Sequence, residues 1–253
     1  MKIEPVMTAH PTESTRRTLL EKEQMILRRL VERLDPSRTP EEESAALERI
    51  RAAVTSNWQT EMYPEQRLSV KNEMEHVLFY LTDVLYRVVP PFYENLQQAL
   101  DSNWRNVPER SLPILLHFGS WVGGDMDGNP NVDGDTIRRS LEYHRREIIK
   151  KYLPEMHSLS RFLSQSLTEV RVSDEVLAQL QYYSEMLPEE SKKIGRRIRN
   201  MPYRCLLKLM MARMQRVLNG AEGAYRNTGE FGTDLELIRQ SMQMNKGRHA
   251  GIF

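Results

Sequence analysis

Two short apolar runs interrupt a chain whose other apolar residues follow helical spacing. They lie in EPVMTAHPTE, residues 4–13, and in LPILLHFGSWVGGDMDGNPNV, residues 112–132. Each run predicts a buried strand that ends in loop residues. Parallel α/β sheets and barrels keep their functional sites at the carboxyl ends of their strands. The two runs therefore predict both the strands of this chain and the place of its chemistry.

The rest of the chain is predicted to be helical, because apolar residues recur there at intervals of three and four. The predicted helices cover 13–34, about 40–59, 69–100, 136–166, 174–187, 189–219 and 233–245. Adjacent prolines at 90 and 91 predict a break or kink, and Pro154 predicts a second kink. The segment 220–232 holds four glycines in thirteen residues, which predicts a flexible loop or linker.

The charge balance, the cysteine count and the length of the apolar runs limit which partners and which cellular compartment we expect. The chain has 253 residues, with 36 Lys+Arg against 35 Asp+Glu, and glutamates are interleaved with most of its arginine pairs. This pattern is typical of solvated helix faces, so we do not expect a nucleic-acid partner. The single cysteine, Cys205, excludes an internal disulfide and is expected to be buried. Without a leader or an apolar run of 18 residues, we expect a cytoplasmic protein with no membrane segment.

His10 lies at the end of the first predicted strand, immediately before a helix. Pro11 biases His10 away from helical angles, and the Thr12 hydroxyl can cap the helix that follows. An imidazole titrates near pH 6.5, roughly, and can exchange a proton at neutral pH. The pattern fits a catalytic histidine and a histidine hydrogen-bonded within a core equally well. Arg16 and Arg17, in the first turns of the helix, suit either a phosphate site or a solvated pair.

The second run ends in a loop whose glycines let the backbone approach a ligand closely. The loop contains Gly123 and Gly124, followed by Asp125, Asp127 and Asn129 at alternate positions. This spacing resembles a calcium loop, but proline 130 stands where the turn glycine belongs and threonine 136 where the last glutamate belongs. A register that begins at Asn129 places Ser140 at that last position instead. We therefore favour a ligand loop with structural turns.

Trp121 stands directly before these glycines. A large apolar side chain there suits the wall of a small dry pocket, although a tryptophan near a strand end also suits a core. His117, within the preceding run, is predicted to be a packed histidine. The loop is therefore predicted to hold the substrate pocket.

Taken together, VMTAHPTESTRRTLL and FGSWVGGDMDGNPNV resemble, in this order, two motifs of the phosphoenolpyruvate carboxylase family. The segments TSNWQT, VPPFYENL and MPYRCLLKLMMARM are similar to helical segments of the same family. The resemblance covers essentially the whole chain. Members of that family are several times longer, so the resemblance implies that this sequence is a part of the enzyme.

The resemblance implies a mostly α-helical fold that carries the first two strands of an eight-stranded (β/α)8-type barrel, incomplete in this chain. Residues 1–12 and 113–132 would supply the two strands and the glycine-rich loop, and residues 13–112 and 133–253 would be helical. Together they would form a single partial domain of a larger enzyme.

The resemblance also implies the reaction. Phosphoenolpyruvate and bicarbonate would give oxaloacetate and phosphate with Mg2+ or Mn2+, whose ligands are expected outside this chain. His10 matches the family's catalytic histidine, and Trp121 matches a tryptophan of the carbon dioxide pocket. Arg16 and Arg17 match an arginine pair that binds a sugar-phosphate activator in plant members. The complete enzyme is expected to be an allosteric homotetramer, and the isolated chain is expected to be inactive.

One residue departs from the family pattern GGDRDGNP, since Met126 stands where the family has arginine. Methionine cannot donate the hydrogen bonds of a guanidinium, so Asp125 or Asp127 is expected to lack its usual partner. Two other functions stay open. One is a helical scaffold without chemistry, and the other is a phosphotransfer module in which His10 carries a phosphoryl group, although Pro11 argues against the mid-helix histidine of such modules.

Overall fold

A computed structural model describes residues 2–8, 17–61, 69–103, 112–126 and 132–244. The chain divides into two compact units, residues 1–144 and 145–253. His10, Arg16, Asp127 and Asn129 lie outside the described residues, as does the side chain of Arg17. The division rests on contacts within each unit, and the single partial domain stays a prediction.

Among its described residues, unit 1 contains two short strands, four complete α-helices and the first part of a fifth, with a π-helical segment between the third and fourth helices. In chain order these are β1 (Val6–Met7), α1 (Arg17–Glu32), α2 (Pro40–Trp58), α3 (Val70–Phe79), the π-helical segment (Tyr80–Leu85), α4 (Tyr86–Asn103) and β2 (Gly119–Ser120). The helix α5 (Gly134–Phe162) follows. The described part of the chain is therefore mostly helical, as predicted.

The strands β1 and β2 pair in parallel, with Val6 opposite Gly119 and Met7 opposite Ser120. A further parallel bridge joins Ile3 and Leu116. The ladder ends where the Trp121 amide donates to the Met7 carbonyl oxygen at 3.0 Å. Because the pair is parallel, the carboxyl ends of both strands lie at the same edge. Two predicted strands are thus confirmed, each shorter than expected within the described residues.

A small apolar cluster holds this edge in place. The buried side chains of Met74, Val77 and Leu78 on α3 pack with Val122, directly after β2. Met7 packs against the same cluster. The cluster ties both strand ends to α3, so burial of apolar surface fixes the point where the loop begins.

Helix α2 begins as its sequence predicts. Thr39 precedes Pro40 and forms a capping box with Glu42: the Glu42 amide donates to the Thr39 hydroxyl at 3.2 Å, and the Thr39 amide donates to the Glu42 carboxylate at 3.0 Å. Two amides at the helix start thereby gain acceptors, and the proline at the first helical position needs none.

A break or a kink is predicted at the two prolines, and the break is wrong. Helix α4 continues through Pro90 and Pro91. The irregular geometry lies upstream, in the π-helical segment, where the Thr82 hydroxyl donates to the Leu78 carbonyl oxygen at 2.7 Å. A hydroxyl bonded to the carbonyl four residues earlier competes with the backbone ladder and often accompanies a bend.

Unit 2 is built around α8. Besides the second part of α5, its elements are α6 (Asp174–Met186), α7 (Pro188–Lys192), a 3-10 turn (Arg196–Ile198), α8 (Pro202–Asn219) and α9 (Thr228–Met244). Four apolar residues of α8 are completely buried, namely Leu206, Leu207, Leu209 and Met210. Helix α8 is therefore the centre of this core, and Cys205 is buried with it as predicted.

Two predictions for unit 2 are corrected. The single helix predicted over 189–219 is divided into α7, the 3-10 turn and α8, since Gly195 is extended and Pro202 starts a new helix. The predicted linker 220–232 is an ordered loop followed by the first turn of α9. Gly220, with a φ of 62°, closes α8 in the left-handed conformation that glycine favours. Within the described residues, no helix is long and apolar enough to cross a membrane.

Candidate functional site

The candidate site is a tight turn at the edge where both strands end. The amides of Gly124 and Asp125 both donate to the Trp121 carbonyl oxygen at 3.0 Å. Gly123, at the third position of this turn, has a φ of 75°, a backbone conformation that residues with a Cβ rarely adopt. The turn begins directly at the sheet, because the Trp121 amide is the last donor of the ladder.

Gly123 is required for space as well as for conformation. A Cβ built at this position would lie 2.2 Å from the Oγ of Ser140 and 3.0 Å from its Cβ. Ser140 belongs to α5 and is buried. At Gly124, by contrast, the nearest atom to a built Cβ is the Trp121 carbonyl oxygen at 3.7 Å. The first of the two glycines therefore serves the packing of the turn against α5, and the second leaves the surface open.

Asp133 caps the helix that packs against the turn. Its carboxylate accepts from the Thr136 amide at 2.7 Å and from the Thr136 hydroxyl at 2.8 Å. These two hydrogen bonds lower the pKa of Asp133. In the calcium-loop register that begins at Asp125, both residues would be ligand positions. Here they are bonded to each other as a helix cap, which argues against that register.

The side chains predicted for the pocket differ in their exposure to solvent. Trp121 is 58% exposed, so it is neither a core residue nor the wall of a closed pocket within the described part of the chain. Asp125 is half-buried, and Met126 is 60% exposed. His117 is half-buried, and its amide donates to the Ile3 carbonyl oxygen at 2.9 Å. The structure thus brings Trp121, the two glycines and Asp125 together in one turn with an outward-facing indole.

The structure describes no metal centre. Among the described residues, no three His, Cys, Asp or Glu side chains are grouped so that they could hold a metal ion. The described residues therefore do not fit a resident metal, and no step of the chemistry below is assigned to one.

A buried polar cluster in unit 2 escaped the sequence analysis. Arg213 on α8 donates to the Tyr183 hydroxyl, to the Gly223 carbonyl oxygen at 3.1 Å and to the Glu230 carboxylate at 3.0 Å. Its guanidinium carbon lies 4.6 Å from the ring centre of Tyr183 and 3.9 Å from that of Tyr225. Cation–π contacts of this kind are strongest when the cation is removed from water.

Asp234 completes this Arg213 cluster. Its carboxylate accepts from the hydroxyls of Tyr183 at 2.7 Å and Tyr225 at 2.5 Å, and from the Gln179 amide at 2.9 Å. Burial and then the neighbouring carboxylate raise the pKa of both tyrosines well above its ordinary value. The cluster closes the 221–227 loop over α8, which explains why the predicted linker is ordered. The sequence signal that could have indicated this cluster is the presence of Tyr225 and Glu230 between the glycines of the segment.

A cavity of about 420 Å3 opens between α1 and the π-helical segment of unit 1. Three guanidiniums and three carboxylates line it, those of Arg28, Arg29, Arg87, Glu21, Glu32 and Asp83. Arg29 already pairs with Glu32 at 2.8 Å. The balance of charges favours neither an anion nor a cation, so we assign this cavity no ligand.

Comparison with known proteins identifies relatives along nearly the whole chain. A family model described as phosphoenolpyruvate carboxylase matches residues 1–251. The phosphoenolpyruvate carboxylases of Xanthomonas euvesicatoria and Xanthomonas oryzae are 51% and 50% identical over 251 residues. These matches cover 99% of this chain and 28% of each relative. The phosphoenolpyruvate carboxylase of an Azoarcus species is 32% identical, over 96% of this chain and 27% of the relative. The chain therefore spans about a quarter of the length of these curated relatives.

Proposed function

This chain belongs to the phosphoenolpyruvate carboxylase family, and we propose that it forms part of an enzyme that carboxylates phosphoenolpyruvate with bicarbonate. The products would be oxaloacetate and phosphate. One observation carries the proposal. The strand that leads to His10 pairs in parallel with the strand that leads to Trp121, and the Trp121 amide bonds to the Met7 carbonyl oxygen. Both motifs thus leave the sheet at one edge, where parallel-stranded enzymes keep their sites.

We propose His10 as the general base. Phosphoenolpyruvate and bicarbonate first form carboxyphosphate and the enolate of pyruvate. Breakdown of carboxyphosphate into carbon dioxide and phosphate releases the carboxyl proton, which an imidazole can accept at neutral pH. In the sequence, His10 follows Met7, the last residue of β1, by three residues.

The role of the turn is to keep carbon dioxide beside the enolate. Carbon dioxide that escapes leaves the enolate to be protonated to pyruvate, so the enzyme must exclude water from this pocket. Trp121 offers a large apolar face at the end of β2. We propose that further parts of the longer protein cover this face and complete the pocket, with Gly123, Gly124, Asp125, Asp127 and Asn129 forming its loop.

We propose that β1 and β2 are the first two strands of an eight-stranded (β/α)8-type barrel. Their parallel pairing through a helical crossover supports this arrangement. Two strands cannot close a barrel, so its remaining strands would belong to the longer protein.

The remaining parts of the proposal concern the assembled enzyme. On the basis of the family alone, we propose that the complete enzyme is a homotetramer in the cytoplasm. It would bind Mg2+ or Mn2+ through ligands outside this chain. Arg16 and Arg17 would hold the phosphate of an activator at the start of α1. Met126 replaces the arginine of the family pattern, and its exposed side chain offers no charged donor to Asp125 or Asp127.

The test separates the two halves of the reaction. In the longest natural polypeptide that contains this sequence, His10→Asn should still bind phosphoenolpyruvate but should stop oxaloacetate formation, because the carboxyl proton lacks its acceptor. Oxaloacetate is measured with coupled malate dehydrogenase, and binding is measured by protection against thermal unfolding. His157→Asn, at a histidine of α5, is the control and should keep full activity. Equal oxaloacetate yields from wild type and His10→Asn would contradict the role of His10.

Two alternatives have distinct outcomes. A scaffold without chemistry would show no thermal shift with phosphoenolpyruvate and a divalent metal ion. A phosphotransfer module would leave an acid-labile phosphoryl group on His10. Neither explains why a turn with an outward-facing indole should follow the paired strands.

A further inference from the structure

We propose that Ser140, which nothing in the family motifs singles out, is a positioning residue for the turn at residues 121–125, which by the proposed function borders the carbon dioxide pocket. The inference deepens the proposed function and rests on it. Ser140 lies on α5, outside the glycine-rich segment, and its side chain is buried against Gly123. It would act through the turn, without touching substrate.

Ser140 contacts the turn mainly by packing, so the volume of its side chain matters more than its hydrogen bonding. The Ser140 hydroxyl lies 2.8 Å from the Thr136 carbonyl oxygen and 3.3 Å from the Gly123 carbonyl oxygen. A hydroxyl has one proton, and the shorter distance indicates that Thr136 is its main acceptor. The hydroxyl is thereby bonded within its own helix, and Gly123 packs against a small, buried side chain.

The position of α5 is itself fixed at this end. Asp133 caps the helix through Thr136, the same residue whose carbonyl oxygen accepts from Ser140. Tyr143, one turn further along, packs against the cluster that contains Val122. The turn is therefore held between α3 and α5, with Val122 packed in that cluster and Gly123 against Ser140.

The consequence for the loop follows from its hydrogen bonds. Gly123 lies between Val122 and Gly124, and the Trp121 carbonyl oxygen accepts from both Gly124 and Asp125. A displacement at Gly123 is transmitted to the indole on one side and to the carboxylate on the other. Displacements of about 1 Å in a reacting site are enough to cost a large part of the rate. The volume at residue 140 thus sets the position of the carbon dioxide pocket.

The expected signature is loss of coupling between the two products. Ser140→Val adds volume against Gly123 and should raise the ratio of phosphate to oxaloacetate well above one, because carbon dioxide escapes and the enolate is protonated to pyruvate. The value of kcat/KM for bicarbonate should fall about tenfold. A merely structural defect would lower both products in equal proportion. Ser140→Ala removes a hydroxyl without adding volume, so its ratio should stay close to one.

Two further variants keep the proposal falsifiable if Ser140→Val does not fold. Gly123→Ala crowds the same contact from the turn and should show the same uncoupling. The double variant Gly123→Ala with Ser140→Ala should recover part of the coupling, because it removes the Oγ that lies 2.2 Å from the added Cβ. The control is Ser160→Val, at another buried serine of the same helix, which should keep the ratio of one.

The assays use the longest natural polypeptide that contains this sequence. Absence of oxaloacetate from the wild type would contradict the proposed function itself. An active wild type whose Ser140→Val and Gly123→Ala variants keep a product ratio of one would overturn the role of Ser140 while leaving the carboxylase proposal intact.

Discussion

The strand-end turn of unit 1 and the Arg213 cluster of unit 2 treat their polar groups in opposite ways. In the cluster, Arg213 and Asp234 are 6% and 2% exposed, and each contacts several protein partners. In the turn, the backbone is fixed by two hydrogen bonds and a close contact with Ser140, but the indole of Trp121 faces outward. Both regions are held by several internal contacts, and they differ in the exposure of their side chains.

The difference distinguishes a cluster that serves stability from a turn that we propose borders a substrate pocket. The cluster closes the 221–227 loop over α8 and satisfies its charges internally, so stability of unit 2 is a sufficient reason for it. The turn contains a left-handed glycine that packs against a buried serine, and its aromatic side chain is exposed. Gly123 and Ser140 serve the internal packing of the turn, and the turn leaves a large apolar side chain exposed at the edge where both strands end.

The largest loss of stability is expected from removing the charge of the cluster. Arg213→Met leaves the Asp234 carboxylate buried without its cation, and breaking such a pair costs about 3–5 kcal/mol. The free energy of unfolding, measured by urea titration with far-ultraviolet circular dichroism, should fall by that amount. Arg226→Met is the matched control, because its side chain is 86% exposed and pairs with the same Glu230. This control should cost about 1 kcal/mol or less. Equal losses from both would show that the cluster is not a stability element.

A smaller effect is expected at the turn. Gly123→Ala places a Cβ on a residue with a φ of 75° and against the Ser140 hydroxyl, which should cost about 1–3 kcal/mol. Gly124→Ala meets nothing closer than 3.7 Å and should change stability by about 0.5 kcal/mol or less. The same urea titration measures both. A Gly124→Ala variant as unstable as Gly123→Ala would contradict the packing role of Gly123.

The smallest effect concerns alkaline pH. The folded protein raises the pKa of Tyr183 and Tyr225, so these hydroxyls keep their protons at a pH where the unfolded chain has begun to lose them. Their contribution is therefore complete below the ordinary tyrosine pKa of about 10 and is lost as the pH rises above it. Tyr225→Phe should make this decline shallower, and should cost about 1–2 kcal/mol at neutral pH because Asp234 loses a donor.

The control for this titration is Tyr182→Phe, which removes a surface hydroxyl and should leave the neutral-pH stability close to that of the wild type. Urea titrations between pH 8 and pH 11, roughly, give the slope of the unfolding free energy against pH. A slope that is the same in the wild type and in Tyr225→Phe would exclude Tyr225 from the alkaline transition.

The sequence predicted what depends on neighbouring residues. Thr39 and Pro40 mark the start of α2, and two apolar runs mark the paired strands. The structure added what depends on distant residues. Asp234 lies 51 residues from Tyr183, so its hydrogen bond could not be read from local pattern. The same holds for Ser140, which lies 17 residues from Gly123.

The errors have related causes. Glycines in 220–232 predict flexibility. Arg213, on the preceding helix α8, orders this loop by donating hydrogen bonds to its carbonyl oxygens. Prolines at 90 and 91 predict a break or a kink, but helix α4 continues through both after the π-helical segment. The position of Trp121 directly before the glycines allows a pocket wall or a core, and its exposure of 58% excludes the core, because exposure depends on which surfaces surround the side chain. Local chemistry predicts the elements, and tertiary contacts decide their ends.

The most direct test of the central claim is a coupled oxaloacetate assay. It would use phosphoenolpyruvate, bicarbonate and Mg2+ with this 253-residue chain and with the longest natural polypeptide that contains it. We predict oxaloacetate from the longer polypeptide and none from the isolated chain, because the described residues group no metal ligands and the indole at the turn is uncovered. Oxaloacetate from neither would contradict the carboxylase proposal.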